Sequence, residues 1–344
     1  MAAQKKAGGG ADYRNLTDSI KSGQIGRFYI LRGEERYLLE SSLGELRRVV
    51  CPDGLDGFNY KRYEGKSITP EELEDAVNTL PVFAERTLVE LHDFDVFSDE
   101  HKRQMAGILS DLPEYICLVI VYDTVAYKPD GRQKLDKAIL QNAQVIDFEI
   151  QEQSVLTKWI ARHFREAGKS ISAPDAAYLV YLTGGHMTSL YGEIGKISAY
   201  AAGDSVSRAD IDAVVAPVMD AVAYKLTDAL FKREHGESLR LLDELLRMRE
   251  APQKLLFSIS LKMRQLLAAR VCIDNGRDWK ALSDMCGIRY EFQAKMLMST
   301  ARTATLDVCR EAVLYCAEAA FSLNSEPEPE ARLIELILRL SYDR

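Results

Sequence analysis

The feature that most constrains the fold is an uninterrupted apolar run at residues 116–122, with the sequence ICLVIVY. A strand that buries only one face of a sheet alternates apolar and polar residues, whereas a strand buried on both faces is apolar throughout. The run therefore predicts a central strand of a parallel sheet, because parallel sheets are covered by helices on both faces.

Strand and helix patterns alternate five times over the first 150 residues. Strands are predicted at 28–31, 58–63, 87–91, 116–122 and 144–148, and the helices between them at 37–50, 69–80, 99–109 and 132–141. This alternation predicts an α/β domain, a parallel sheet with helices on both faces. A short helix at 16–22 precedes the first strand, and we expect residues 1–15 to form a flexible tail.

After about residue 150 the strand patterns stop and helical spacing continues to the C-terminus. Helices predicted at 154–167, from 173 onward and at 187–201 make a small three-helix domain that ends near Pro217. Beyond it, leucines and methionines recur at helical spacing, which predicts a helical bundle. We therefore expect three domains, an α/β domain and two all-α domains, at 16–150, 151–216 and 217–344.

The segment between the second main helix and the third strand carries an apolar pair beside a proline. Thr69 starts a capping box that opens the helix, and the helix is predicted to end at Leu80-Pro81. Pro81 stops it because proline lacks an amide hydrogen and its ring clashes with the preceding turn. Val82 and Phe83 then lie at a corner, where they either cover the local core or form a hydrophobic anchor for a partner.

The charge of the chain argues against tight nucleic-acid binding by this chain alone. Its 344 residues carry a formal net charge of -8, and affinity for nucleic acid comes largely from neutralised phosphates. The sequence has no run of about 18 apolar residues, so we expect no membrane span. Its N-terminus lacks the apolar segment of a secretory signal.

The six cysteines contain no C-x-x-C pair, so a zinc site of the usual spacing is not predicted. Free buried thiols are typical of a reducing compartment, and we expect a cytoplasmic protein.

The first predicted strand is not followed by a phosphate-binding loop. Such a loop has the sequence G-x-x-x-x-G-K-[ST], in which main-chain amides and a lysine hold the phosphates. Here residues 32–36 are RGEER, with one glycine, no lysine and two carboxylates where anionic phosphates would lie.

Two Gly-Lys-Ser sequences lie elsewhere, at 65–67 and 168–170, and both lack the first glycine of the motif. If either one held a nucleotide, Lys66 or Lys169 would be the phosphate lysine.

Side chains typical of other catalytic and metal sites are scattered. The five histidines form no H-x-x-x-H or H-E-x-x-H pattern. The carboxylate pairs at 34–35 and 71–72 lie at helix starts, where negative charge favours the helix dipole. We find no nucleophile–base pair that the sequence alone can support. We therefore expect no catalytic residue, no metal site and no bound cofactor.

Three segments, in this order and at this spacing, resemble the delta subunit of the bacterial DNA polymerase III clamp loader. Residues 25–39 look like the opening strand and degenerate phosphate loop of that family. Residues 80–89 look like its corner with a phenylalanine before the third strand. The third segment, residues 255–270 followed by 281–288 and Phe292, is similar to its collar domain. The resemblance runs from about residue 16 to the C-terminus.

The resemblance implies an AAA+-like first domain that does not hydrolyse ATP, a three-helix lid domain and a helical collar that joins five subunits into an open ring. It also implies a non-catalytic subunit of a DNA-directed DNA polymerase complex, a nucleotidyltransferase. The implied partners are the sliding clamp (beta), the tau/gamma and delta prime subunits through the collar, and primed DNA within the assembly.

The resemblance gives the corner a role as well. The family's delta subunit binds the sliding clamp through a hydrophobic pair at this corner and helps hold one clamp interface open. The pair falls on Val82 and Phe83, next to Leu80 and Pro81, although the family often has leucine where this chain has valine.

Two alternative functions stay open. One is an ATP- or GTP-dependent enzyme with a degenerate phosphate loop, and the other is an interaction module with an unrelated partner.

Overall fold

The structure is a computed structural model that describes residues 9–51, 56–65, 67–129, 133–325 and 328–342. The chain divides into two compact units, with the boundary after Ile150. The first unit contains the main sheet, and the second is almost entirely helical. Among the described helices, none combines the length and the apolar character needed to cross a membrane.

The first unit is built on a five-stranded sheet. Its strands β1 to β5 span Phe28–Arg32, Tyr60–Glu64, Thr87–His92, Ile116–Tyr122 and Gln144–Asp147. Its helices α1 to α6 span Gly9–Ser22, Arg36–Val50, Asp56–Asn59, Pro70–Val77, Lys102–Ser110 and Lys134–Asn142. The strand order is β2-β3-β4-β1-β5, and every pairing is parallel. The apolar run forms β4, which is buried throughout and has a neighbour on each side.

Helices lie on both faces of this sheet. Successive side chains of a strand point to opposite faces, and Val89 and Leu91 of β3 share one apolar core with residues of α4, α5 and α6. Glu90, between them, points to the other face, where Arg47 of α2 binds its carboxylate. The parallel sheet with helices on both faces, predicted from the alternation, is therefore confirmed.

Two parts of the first unit differ from the sequence-based expectation. Residues 9–15 belong to α1 and do not form a flexible tail, because Tyr13 packs edge-on against Phe148 and Leu16 is buried. Residues 1–8 lie outside the described residues. The second strand begins at Tyr60, and Phe58 lies in the short helix α3. Residues 58–63 alternate apolar and polar side chains, but alternation does not mark the first residue of a strand, which explains the wrong assignment of Phe58.

The second unit contains helices α7 to α17 and two short strands in its described part. The helices span Gln153–Glu166, Ala173–Thr183, Met187–Tyr200, Arg208–Val214, Met219–Phe231, His235–Arg247, Pro252–Asp274, Trp279–Cys286, Glu291–Ala301, Leu306–Ser325 and Pro329–Tyr342. The strands, β6 at Ser170–Ile171 and β7 at Ser205–Val206, pair in parallel. They are too short to leave an apolar pattern, so the sequence did not predict them. The short helix α10 was also not predicted, and the boundary at residue 216 stays a prediction.

The long helix α13 is central to the last third of the chain. It packs against α11, α15 and α16. Its apolar residues at helical spacing are buried, among them Leu255, Ile259, Met263 and Leu266. The bundle predicted from this spacing is therefore present.

Candidate protein-binding site

The loop of residues 78–86, here called the corner loop, joins α4 to β3. Helix α4 begins with the predicted capping box at Thr69 and ends at Val77, with Asn78 as its C-cap. The helix stops three residues earlier than the predicted end at Leu80. Pro81 disfavours a helical conformation at Leu80, the residue before it. The apolar pair lies in non-helical backbone, as the sequence indicated.

Three apolar side chains of the corner loop face solvent. Phe83 is 92% exposed, Leu80 is 68% exposed and Val82 is 38% exposed, while Pro81 is half-buried. An apolar side chain stabilises a fold in proportion to the area that it removes from water. Phe83 therefore contributes almost nothing to the core of this chain, and its position favours the anchor interpretation over the core-covering one.

The main chain of Phe83 is in the left-handed region, with φ at 54°. This conformation costs a residue other than glycine about 1–2 kcal/mol. Such conformations persist only where surrounding structure imposes them, and they cluster at functional sites.

Asn59 holds the main chain of the corner loop immediately before Phe83. Its side-chain nitrogen donates to the carbonyl oxygen of Val82 at 2.7 Å, and its side-chain oxygen accepts from the N–H of Val82 at 2.7 Å. The Asn59 side chain is fully buried. Sequence reasoning missed this residue, because a single asparagine makes no periodic pattern and its partner is distant in the chain.

The start of the corner loop is held by three further hydrogen bonds. The Tyr115 hydroxyl donates to the carbonyl oxygen of Asn78 at 3.1 Å. The Lys61 ammonium donates to the Thr79 hydroxyl at 2.7 Å, and that hydroxyl donates to the carbonyl oxygen of Asp75 at 2.8 Å. The loop is therefore tied to α4, to β2 and to the residue before β4, while its apolar side chains stay in solvent.

A fourth exposed apolar residue, Phe58, precedes Asn59 in α3 and is 62% exposed. Because Asn59 is bonded to Val82, α3 and the corner loop meet beside the edge strand β2. The sequence pattern predicts a strand at Phe58 and gives no sign of its exposure.

The segment that follows β1 packs against main chain and is capped by a carboxylate of this chain. Gly33 has a φ of 128°, and a Cβ atom there would lie 2.3 Å from the carbonyl oxygen of Phe148. Close packing therefore requires this glycine. The buried Glu35 caps the N-terminus of α2, where its carboxylate accepts from the N–H of Tyr37 at 3.3 Å. A helix start offers its amides to a phosphate, and here the chain's own carboxylate binds there.

The glycines and lysines of the two Gly-Lys-Ser sequences also have structural explanations where the structure describes them. Lys169 donates to the carbonyl oxygens of Ala201 at 2.8 Å and Gly203 at 2.7 Å. Its ammonium group therefore satisfies main-chain acceptors that follow α9. At Gly65 a Cβ atom would lie 2.2 Å from the carbonyl oxygen of Asp93. Lys66 lies outside the described residues.

Glu90 is a fully buried carboxylate on the α2 side of the sheet. Arg47 donates two hydrogen bonds of 2.6 Å to it, the Tyr60 hydroxyl donates at 3.0 Å, and Nε2 of His92 lies at 3.3 Å. Burial raises the pKa of Glu90, but the hydrogen bonds from His92, Arg47 and Tyr60 outweigh burial and hold that pKa below its ordinary value.

Burial, and next the Glu90 charge, raise the pKa of Tyr60 to about 12. A carboxylate with so many partners is a structural ion pair between α2, β2 and β3 rather than a general base. No cluster of three or more metal-ligating side chains occurs in the described part of the chain.

Two family models match the chain. The model of the DNA polymerase III delta subunit matches residues 29–149, and the model of the C-terminal domain of the same DNA polymerase III delta subunit matches residues 220–340. DNA polymerase III subunit delta of Bacillus subtilis (strain 168) is 24% identical over 330 residues, which cover 93% of this chain and 94% of that protein. The probable DNA polymerase III subunit delta of Aquifex aeolicus (strain VF5) is 22% identical over 276 residues, 77% of each chain.

A solved structure has the same fold. The DNA clamp loader delta protein of Bacillus subtilis matches with a TM-score of 0.56 and 22% identity, over 96% of this chain and 100% of that one. The two family models together cover most of both units, and they include the segments that carry the resemblance apart from residues 25–28. The chain therefore belongs to the DNA polymerase III delta subunit family, and it is a clamp-loader subunit with a role in DNA replication.

Proposed function

We propose that this chain binds the sliding clamp through Phe83 and Val82, with Leu80 and Pro81 beside them, and helps hold one clamp interface open. The observation that carries the proposal is the exposure of Phe83 on a left-handed main chain that the rest of the domain holds in place. An aromatic side chain with aliphatic neighbours, presented on a fixed support, is the usual form of an interface anchor.

The energy available from this surface fits the task. Burying a phenylalanine and a valine side chain contributes roughly 3–5 kcal/mol before the costs of association. Because the corner loop is already held by hydrogen bonds, little ordering cost is added on binding. If the surface fits the open clamp better than the closed one, binding shifts the clamp towards the open state without nucleotide chemistry in this chain. ATP would then act through neighbouring subunits.

The direct test is binding of the purified full chain to the sliding clamp of the same organism in the absence of nucleotide. We expect saturable binding with one chain per clamp interface, measured by surface plasmon resonance or calorimetry. Addition of ATP and magnesium should leave the affinity unchanged, since the residues that the structure describes after β1 and around Lys169 are used by the fold. Failure to bind at tens of micromolar clamp would contradict the proposal.

The alternative, a nucleotide-dependent enzyme, has less support because Glu35 and Lys169 are used by the fold. We expect no binding of a fluorescent ATP analogue in the presence of magnesium. Lys169→Ala should lower the free energy of unfolding by about 1 kcal/mol, the usual contribution of lost hydrogen bonds at a half-buried site. Thermal denaturation measures this loss, and nucleotide binding that disappears in the variant would support the alternative. An unrelated partner predicts neither clamp nor nucleotide binding.

For the last helical segment, 217–344, we propose the collar role, contact with the tau/gamma and delta prime subunits. An apolar groove of about 360 Å³ lies between α13 and α16, lined by residues that include Leu256, Phe257, Val313 and Leu323. Phe257 is exposed at its edge. Contact with primed DNA is then expected only within the assembly, because the chain alone carries a net charge of -8.

Phe257→Asp should reduce incorporation into the reconstituted loader at least about tenfold, since an interface anchor is replaced by a charge. Size-exclusion chromatography of mixed subunits measures incorporation. The matched control is Leu239→Asp on α12, an exposed leucine outside the groove. Equal incorporation of both variants would exclude the groove as an interface with the other subunits.

A further inference from the structure

Asn59 makes an unusual pair of hydrogen bonds for a side chain. An asparagine side chain offers an oxygen acceptor and an NH₂ donor on one planar amide, and here both bind the main chain of one residue, Val82, at 2.7 Å each. This copies the exchange of N–H and C=O bonds by which one peptide strand pairs with another. Because Val82 supplies one donor and one acceptor, the orientation of the Asn59 amide is fixed by its partners.

These bonds act on the peptide unit that determines where Phe83 points. The carbonyl oxygen of Val82 belongs to the peptide plane that ends at the nitrogen of Phe83. Rotation of that plane changes φ of Phe83, which is 54°, and it would carry the carbonyl oxygen away from the Asn59 NH₂ group. As long as the bond is made, the plane cannot rotate, and Phe83 stays in the left-handed conformation.

The position of Asn59 is determined by the sheet and not by the corner loop. It directly precedes β2, whose first residue, Tyr60, is in register with Leu88 of β3. The Cys51 thiol donates to the carbonyl oxygen of Asn59 at 3.2 Å. The Asn59 side chain is completely buried, so water does not compete for its hydrogen bonds.

We propose that Asn59 is a positioning residue that holds Phe83 in its binding conformation before the clamp arrives. The proposal rests on the clamp-binding function proposed above. The apparent affinity of a ligand is its intrinsic affinity multiplied by the fraction of protein that is in the competent conformation. The left-handed region is disfavoured for an aromatic residue by a factor of roughly ten. Removing the Asn59 amide should therefore lower clamp affinity about tenfold, mainly by slowing association.

The first experiment compares wild type, Asn59→Ala and Asn142→Ala. Asn142 is the matched control, because its side chain also donates to main chain in the same unit, to the carbonyl oxygen of Leu109 at 3.1 Å. Clamp binding is measured by surface plasmon resonance, and hydrogen exchange is measured at the N–H of Val82. We expect Asn59→Ala to bind the clamp about tenfold more weakly and to lose hydrogen-exchange protection at Val82, while the amides of β3 and β4 remain protected. Asn142→Ala should show neither change.

A second measurement separates positioning from a general effect on the fold. If Asn59 acts through Phe83, Asn59→Ala should lower affinity about tenfold in wild type and less than about twofold in a Phe83→Ala background. Should Asn59→Ala fold poorly, Asn59→Asp replaces it, since aspartate keeps the shape and the acceptor but loses the donor to Val82.

The outcomes also separate this inference from the proposed function. Wild type that does not bind the clamp overturns both. If wild type binds the clamp and Asn59→Ala binds it equally well, the positioning role is overturned and the clamp-binding function stands. The same holds if Asn59→Ala loses as much affinity in the Phe83→Ala background as in wild type.

Discussion

Phe83→Ala is expected to weaken clamp binding at least tenfold while leaving the fold intact. The loss corresponds to about 2 kcal/mol, the size typical of an interface hot spot. Stability should be preserved because Phe83 is 92% exposed and buries almost no area in its own chain. Binding is measured by titration against the clamp, and the fold is checked by circular dichroism and thermal denaturation of both proteins.

Two further variants make the result specific. Leu140→Ala in α6 is the matched control, because Leu140 is also an exposed apolar residue of the first unit, and it should bind like wild type. Val82→Ala should cost less than Phe83→Ala, since Val82 is only 38% exposed and has less area to bury against a partner. A Phe83→Ala protein that unfolds would show that Phe83 is a core residue, and unchanged binding would remove the corner from the clamp interface.

The architecture of the first unit could be predicted from the sequence because its signals are local. The apolar run of β4 and the alternation of strands with capped helices each arise from a few consecutive residues. The corner was located for the same reason, since Thr69 and Pro81 mark the start and the limit of one helix. Local signals of this kind also placed the apolar pair outside regular structure.

What the sequence did not predict depends on residues that are distant in the chain. The bonds between Asn59 and Val82 join two segments whose relative position follows only from the folded sheet. The positive φ of Phe83 has no signal in its own residue type, because tertiary structure imposes it. The close approach of Phe148, which requires a glycine at position 33, is likewise a contact between distant segments. Residues 9–15 are helical because Tyr13 and Leu16 pack against the sheet domain, which overrides the glycines before them.

Arg47→Ala is expected to lower the free energy of unfolding by about 3 kcal/mol at pH 8, since breaking a buried ion pair leaves one charge uncompensated. Glu90 is fully buried, and Arg47 supplies two of its hydrogen bonds. A loss of this size is a large part of the stability of a typical domain. Urea unfolding followed by circular dichroism measures it.

The loss should depend on pH in a direction that the hydrogen bonds determine. In wild type the pKa of Glu90 is lowered, so its contribution to stability is present above the unfolded pKa and is lost only as pH falls through the lower folded pKa. Without Arg47, burial dominates and should raise the folded pKa of Glu90 above the unfolded value. The folded variant then binds more protons than the unfolded chain, and its stability falls as pH rises through that window. The difference between wild type and variant should therefore be smaller at pH 5 than at pH 8.

The control for this prediction is Arg62→Ala, because Arg62 pairs with Glu64 of the same strand, β2, at 3.0 Å with both side chains exposed. Exposed pairs contribute little, so this variant should stay within about 0.5 kcal/mol of wild type at both pH values. A loss in Arg47→Ala that is equally small, or that is the same at pH 5 and pH 8, would mean that Glu90 has found other partners or water. The side chain that holds Val82 is Asn59 and not Arg47. The folded Arg47→Ala protein should therefore still bind the clamp within about threefold of wild type. This result would separate the ion pair that stabilises the sheet from the residue that positions the corner loop.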